Sequence, residues 1–134
     1  MTYDEVVAAI IRGENIRNLP LRVTYYCRVS TDSDVQINSL ENQLDYYRNY
    51  IKSNTNWVFV EGYYDEGITG VVINKRDDFK RMIRDAKLNK FDLIVTKEVS
   101  RFARDLEDSI HTIRELRDYG VGLFFENQAL NTFD

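Results

Sequence analysis

Leu21-Arg22-Val23-Thr24-Tyr25-Tyr26-Cys27-Arg28-Val29-Ser30-Thr31 is the stretch that decides the fold. Its alternating first half predicts a strand from about Leu21 to Arg28. A polar, acidic loop, Thr31 to Gln36, follows, and a helical pattern begins near Asn38 or Ser39 with Leu40, Leu44, Tyr47 and Ile51 as its buried face. Side chains two apart on a strand point the same way, so Arg28 and Ser30 form a pair at the strand's end. That sets a hydroxyl nucleophile beside a fixed positive charge, at the edge where open α/β sheets bind ligands. The anion best suited to such a pair is a phosphate.

Outward from that stretch the chain alternates strand and helix. Trp57 to Tyr64 reads as a second strand ending at Asp65, and Asp65-Glu66-Gly67-Ile68-Thr69-Gly70 opens a glycine-bearing loop that continues into Val71-Val72-Ile73-Asn74. Exposed apolar residues after two glycines suggest a mobile segment that meets a partner or DNA. A helix is predicted over Asp77 to Leu88, packed through Phe79, Met82, Ile83 and Ala86, and a central strand over Phe91 to Lys97. Asp105 can cap a third helix running to about Tyr119, with Leu106, Ile110, Ile113 and Leu116 as its stripe. Gly120 stops it, Val121 to Phe125 is the last strand, and residues 126–134 read as a loop. This order predicts an α/β fold: a mostly parallel central sheet of four to five strands with helices on both faces. In such a sheet the ends at Arg28/Ser30, Asp65 and Lys97/Ser100 share one edge.

Residues 1–20 read as an N-terminal extension to a domain spanning 21–134. Thr2-Tyr3-Asp4-Glu5 has the form of a capping box, Val6, Val7, Ile10 and Ile11 suggest an apolar stripe, and Gly13 closes a short docked helix.

The chain of 134 residues is one domain by length, 43% hydrophobic and 30% charged. No run is long enough to span a bilayer, and the first residues lack the form of a signal peptide. A single cysteine, Cys27, excludes an internal disulfide and fits a reducing compartment. With one histidine and no Cys-x-x-Cys, zinc is not indicated. The net charge of −4 is unevenly spread: residues 75–104 carry 10 basic and 5 acidic side chains, and both flanking blocks are acidic. That block is a candidate polyanion-facing surface, or simply a pair of solvated helix faces.

A phosphodiester at this edge would be attacked by the Ser30 hydroxyl. Its transition state needs its equatorial oxygens stabilised, and arginines offer a planar fork of donors for that. Arg28, Arg101 and Arg104 are candidates, with Arg76 supplied from the loop; Arg101 and Arg104, three apart, share one side of a helical turn. His111 reads as a mid-helix residue without a catalytic role. Asp65 either positions an arginine or a water or is a strand-end turn residue. Strand ends carrying arginine and lysine repel a cation, so no metal is expected.

Taken together, Tyr26-Cys27-Arg28-Val29-Ser30-Thr31, Ser39-Leu40-Glu41-Asn42-Gln43, Asp65-Glu66-Gly67-Ile68-Thr69-Gly70, Arg76 with Phe79 and Met82, and Ser100-Arg101-Phe102-Ala103-Arg104 resemble the catalytic domain of serine site-specific recombinases. Five motifs match in order and spacing from about Leu21 to Asp134. The likeness is greatest to the large integrase and transposase branch, which often has serine where Ser100 stands; the resolvase–invertase branch usually has aspartate. The resemblance implies a three-layer resolvase-like fold and Ser30 as the nucleophile, forming a 5′-phosphoserine link to double-stranded DNA. It implies Arg28, Arg101, Arg104 and Arg76 as phosphate ligands, with Arg76, Arg101 and Arg104 also binding DNA. Gln43, Asp65, Ser100 and Lys97 would support them. It further implies no cofactor, a homodimer and a synaptic homotetramer in the full-length protein, a monomer or weak dimer for the isolated domain, and a cytoplasmic setting in a bacterium, phage or mobile element. In the family the chain continues into a long dimerisation helix and DNA-binding domains. Two other readings stay open at this point. One is a phospho-acceptor signalling domain using Asp65 and Lys97; the other is a non-catalytic DNA-binding or assembly module of the same fold.

Overall fold

The computed structural model describes residues 1–30, 34–67, 76–97 and 106–134, with only the backbone described at 29–30, 34–39, 67 and 106–107. Five strands, β1 (Leu21–Ser30), β2 (Trp57–Gly67), β3 (Leu93–Thr96), β4 (Gly122–Phe125) and β5 (Leu130–Asn131), form one sheet in the order β2-β1-β3-β4-β5. The first four are parallel, and β5 returns antiparallel to β4. Among the described residues the helices are α1 (Tyr3–Ile11), α2 (Asp34–Lys52), α3 (Asp77–Lys87) and α4 (Leu106–Asp118), with a 3₁₀ turn over Ile16–Asn18. Among the described residues no helix is long and apolar enough to cross a membrane.

Strand alternation divides the interior into two layers. Val23, Tyr25 and Cys27 of β1, Leu93 and Val95 of β3 and Phe124 of β4 face α1 and α2, where Val6, Ala9, Tyr47 and Ile51 meet them. Tyr26, Ile94, Leu123 and Phe125 face the opposite way, onto Met82 and Ala86 of α3 and Leu116 of α4. Both faces of β1 are therefore buried, as a strand with a neighbour on each side requires. Each fully buried side chain of this kind contributes about 1.5–3 kcal/mol of transfer free energy.

The β1–β2 ladder carries a bulge: Val23 pairs with Phe59 but Tyr25 with Gly62. The Thr24 hydroxyl donates to the Glu61 carbonyl within it. A Cβ on Gly62 would lie 2.0 Å from the Tyr25 ring, so any side chain here would have to displace that ring.

Several boundaries differ from expectation. α2 starts at Asp34, before the predicted Asn38 or Ser39; the apolar residues of its first turn, Val35 and Ile37, are two apart, a spacing that does not read as helical. β2 continues past Asp65 to Gly67, since β1 offers partners as far as Ser30. β3 is shorter than predicted: Asp92 precedes it and is held by Arg22. On α1 the capping box forms, but Ile11 is 80% exposed and Ala9 takes the buried place, because Val6 and Ala9 share a face that Ile11 does not. On α4 the buried face is Ser109, Thr112 and Leu116, with Ile110 turned outward. Helical Ser and Thr hydroxyls can bond back to their own helix carbonyls, so a buried helix face need not be apolar. The expected loop at 126–134 instead forms β5 and buries Phe133 over Gly122. Residues 1–20 contribute Val6, Ala9, Ile16 and Leu19 to the α1/α2 layer, and the Ile16 carbonyl accepts from Trp57 Nε1 at 3.3 Å.

Candidate active site

Parallel register brings the C-terminal ends of β1, β2 and β3 to one edge, with Arg28 opposite Asp65 and Tyr25 opposite Val95. Ser30 is the last residue of β1, its Cα paired with that of Gly67. Arg28 is half-buried. Ser100, Arg101 and Arg104, which sequence reasoning assigned to the same site, lie outside the described residues, as do residues 68–75 of the glycine loop.

Asp65 is buried, 7% exposed, and its carboxylate accepts from three donors: the Tyr26 hydroxyl at 2.7 Å and the backbone amides of Asp78 and Phe79, each at 3.0 Å. The amides belong to the first turn of α3, whose N-cap residue, Arg76, supplies no side-chain cap. Asp65 thus caps α3 from the neighbouring strand, satisfying two amides that a helix start leaves open. The clasp is reciprocal, because Asp78 Oδ2 accepts the Tyr64 amide at 3.0 Å. Burial, and then the bond to Asp65, hold the Tyr26 phenol well above its ordinary range.

Arg76 stands at the start of α3, its side chain 15% exposed. Its guanidinium carbon lies 3.7 Å from the Phe79 ring centroid and 5.9 Å from that of Tyr26. Its Nη1 is 4.0 Å from Asp108 Oδ2 on α4. Tyr26, Asp65, Arg76, Phe79 and Asp108 therefore form one group on the α3/α4 side of the sheet.

Gln43 and Lys97 stand on the other side. Cys27 Sγ donates to Gln43 Oε1 at 3.4 Å, and Lys97 Nζ lies 5.7 Å from the Tyr46 ring centroid on α2. His111 is a surface residue of α4, 3.8 Å from Glu115. Among the described residues no group of three or more His, Cys, Asp or Glu is placed to hold a metal ion. Sequence reasoning did not single out Asp108. The available signal was its spacing, four residues after Arg104 in a helical pattern.

The resolvase N-terminal domain model matches residues 23–134. The chain belongs to this family, the catalytic domains of serine recombinases, which carry out site-specific recombination with DNA as substrate. It is 32% identical to a resolvase family site-specific recombinase from Streptococcus pneumoniae, over 84% of this chain and 76% of that one, with a TM-score of 0.70. The N-terminal catalytic domain of TP901-1 integrase shares the fold at 22% identity and a TM-score of 0.66, covering 84% of this chain and 82% of that one. A serine recombinase from Sulfolobus solfataricus does so at 24% identity and 0.61, covering 79% and 68%. No match was found among curated protein sequences. The signalling-domain alternative falls with this assignment.

Proposed function

We propose that Ser30 is the nucleophile of a DNA-breaking and rejoining reaction of the integrase or transposase type. Its Oγ attacks the scissile phosphorus, the new O–P bond joins serine to the DNA 5′ end, and the P–O3′ bond breaks. The serine proton passes to the departing 3′ oxygen, leaving a 3′-hydroxyl. Religation runs the same exchange backwards, and the covalent link conserves the phosphodiester bond energy, so no cofactor is required. Arg28, Arg101, Arg104 and Arg76 hold the non-bridging oxygens, with guanidinium forks matched to phosphate. Gln43, Asp65, Ser100 and Lys97 support that set, and Ser100 favours the large branch over the resolvase–invertase branch. Residues 21–134 are the catalytic domain and 1–20 its extension. The full-length protein acts as a dimer that pairs into a tetramer on two duplexes, in the cytoplasm.

The observation that carries this reading is the shared edge, where Arg28 stands opposite Asp65, Ser30 ends the same strand, and Arg76 is fixed beside Asp65 at the start of α3. Denaturant-stopped reactions of the full-length protein on its own recombination site test it. Protein should be found attached to a DNA 5′ end, and Ser30→Ala should abolish the attachment. Attachment that persists in Ser30→Ala would move the nucleophile elsewhere.

A further inference from the structure

The N-terminal extension ends in a 3₁₀ turn that fixes Arg17. Asn15 Oδ1 accepts the Arg17 amide at 2.9 Å, and the Arg17 carbonyl accepts from Asn54 Nδ2 at 2.9 Å and Asn56 Nδ2 at 3.2 Å, just ahead of β2. Ile16 and Leu19, to either side, are buried. From that anchor the guanidinium carbon lies 5.1 Å from the Tyr50 ring centroid and 5.9 Å from that of Phe124, and Nη2 donates to the Tyr50 hydroxyl. Tyr50 and Tyr46, one helical turn apart on α2, are stacked with centroids 6.2 Å apart and planes at 25°. The Tyr46 hydroxyl donates to Glu126 Oε1, and Lys97 Nζ lies 5.7 Å from the Tyr46 ring centroid. Lys97 and Glu126 directly follow Thr96 and Phe125, the last pair of the β3–β4 ladder. Both therefore stand at the sheet edge to which β1 and β2 bring Arg28 and Asp65. Tyr46 is 45% exposed, so its ring keeps its direction only through what holds it: Tyr50 at its face and Glu126 at its hydroxyl. A cation is drawn to a ring's face, so the direction of the ring sets where the ammonium sits.

We propose that Arg17 is a positioning residue through which the N-terminal extension reaches this edge: the Arg17–Tyr50–Tyr46 stack, closed by Glu126, seats the Lys97 ammonium. This rests on the supporting role given to Lys97 above. Loss of Arg17 uncovers Tyr50, Tyr46 loses its fixed neighbour, and the ammonium loses its place over the ring. The charge of Lys97 stays, so DNA is still attracted, but a supporting cation is no longer held in one position. Residues 1–20 are then part of the working unit as well as of its core.

Side-chain NMR of this chain tests the seat directly. The Lys97 Cε–Hε signal, assigned by its loss in Lys97→Arg, should carry an upfield ring-current shift that Tyr46→Leu removes. In Arg17→Ala it should move toward the free-lysine position, while the Trp57 indole signal, set by its bond to Ile16, stays in place and shows the extension still docked. If Arg17→Ala undocks the extension, Tyr50→Leu breaks the same stack from α2 and should move the Lys97 signal in the same way. Arg12→Ala removes an exposed pair with Glu14 on the same extension and should leave the signal unmoved. An unmoved Lys97 signal on breaking the stack would overturn the proposal, and so would an equal movement in Arg12→Ala. On the full-length protein's own site, Arg17→Ala should slow covalent attachment by about tenfold at saturating DNA, below the roughly hundredfold scale of a misplaced reacting group. The DNA concentration for half-saturation should be unchanged. A weakened half-saturation with an unchanged rate would also overturn it. Lys97→Ala with unimpaired attachment would instead remove Lys97 from the active site and leave the NMR result standing by itself.

Discussion

β1 carries an arginine near each end of its buried run, and the two ends of the sheet use charge differently. At the N-terminal edge Arg22 meets Asp92 as a fork: Nη2 to Oδ1 at 2.9 Å and Nε to Oδ2 at 3.2 Å. The Arg22 backbone amide also donates to Asp92, at 2.9 Å, and Asn89 accepts from both terminal nitrogens. The donors there are spent on joining β1 to the start of β3. At the C-terminal edge Asp65 receives a phenol and two helix amides, none of them from arginine. Arg76 is seated against ring faces there, with a carboxylate at 4.0 Å. A fork-to-fork pair locks two strands. One end of this sheet spends its arginine on a fork-to-fork pair; the other is the edge at which the phosphate site is proposed.

The contrast can be broken most forcefully at the closed end. Asp92→Ala should cost about 2–3 kcal/mol in urea unfolding, because it leaves the Arg22 fork and a backbone amide without their acceptor. The figure is at the low end for ion pairs since Arg22 is 40% exposed. A loss under about 0.5 kcal/mol, the scale of a surface pair, would erase the distinction between the two ends. At the open end, Asp65→Asn should cost about 1–2 kcal/mol, the range of a lost cap. Its signature should be local: faster hydrogen exchange at Asp78 and Phe79, with β3 and β4 unchanged. Uniform loss of protection would show Asp65 to be a global support like Asp92.

The smallest effect should come from Tyr26→Phe, and it depends on pH. The folded phenol titrates above its ordinary value of 10.0, so the folded state holds the proton more tightly than the unfolded chain. The stability this gives is fully present below pH 10 and is lost as pH rises from there toward the folded value. Tyr26→Phe should cost about 1 kcal/mol near neutrality and flatten the decline of stability above pH 10. An identical alkaline decline in both proteins would place the titration elsewhere, Tyr63 with its bond to Asp85 being the next group to test.

The order of strands and helices and the parallel sheet were legible because each strand of the core has a clear apolar signature, Leu93-Ile94-Val95 most plainly. The rotation of α4 was not, because Ser109 and Thr112 count as polar in any periodicity and Ile110 counts as core. β5 escaped notice since two residues have no period, and its pairing depends on Phe133 reaching the space that Gly122 leaves. At the candidate site, Arg28, Ser30 and Asp65 were readable as strand ends, and Arg76 came in as the loop arginine. What Asp65 does was not readable, because capping a helix from another strand depends on amides 13 and 14 residues away.

Sequence alone therefore determined the topology, the strand edge and the residue types offered there, since alternation and helical period are local properties of the chain. Only the folded molecule decided how those residues are shared out: Asp65 to the start of α3, Asp92 to Arg22, Asp108 to Arg76. Partners of opposite charge are chosen by which elements pack together, and no local pattern records that choice.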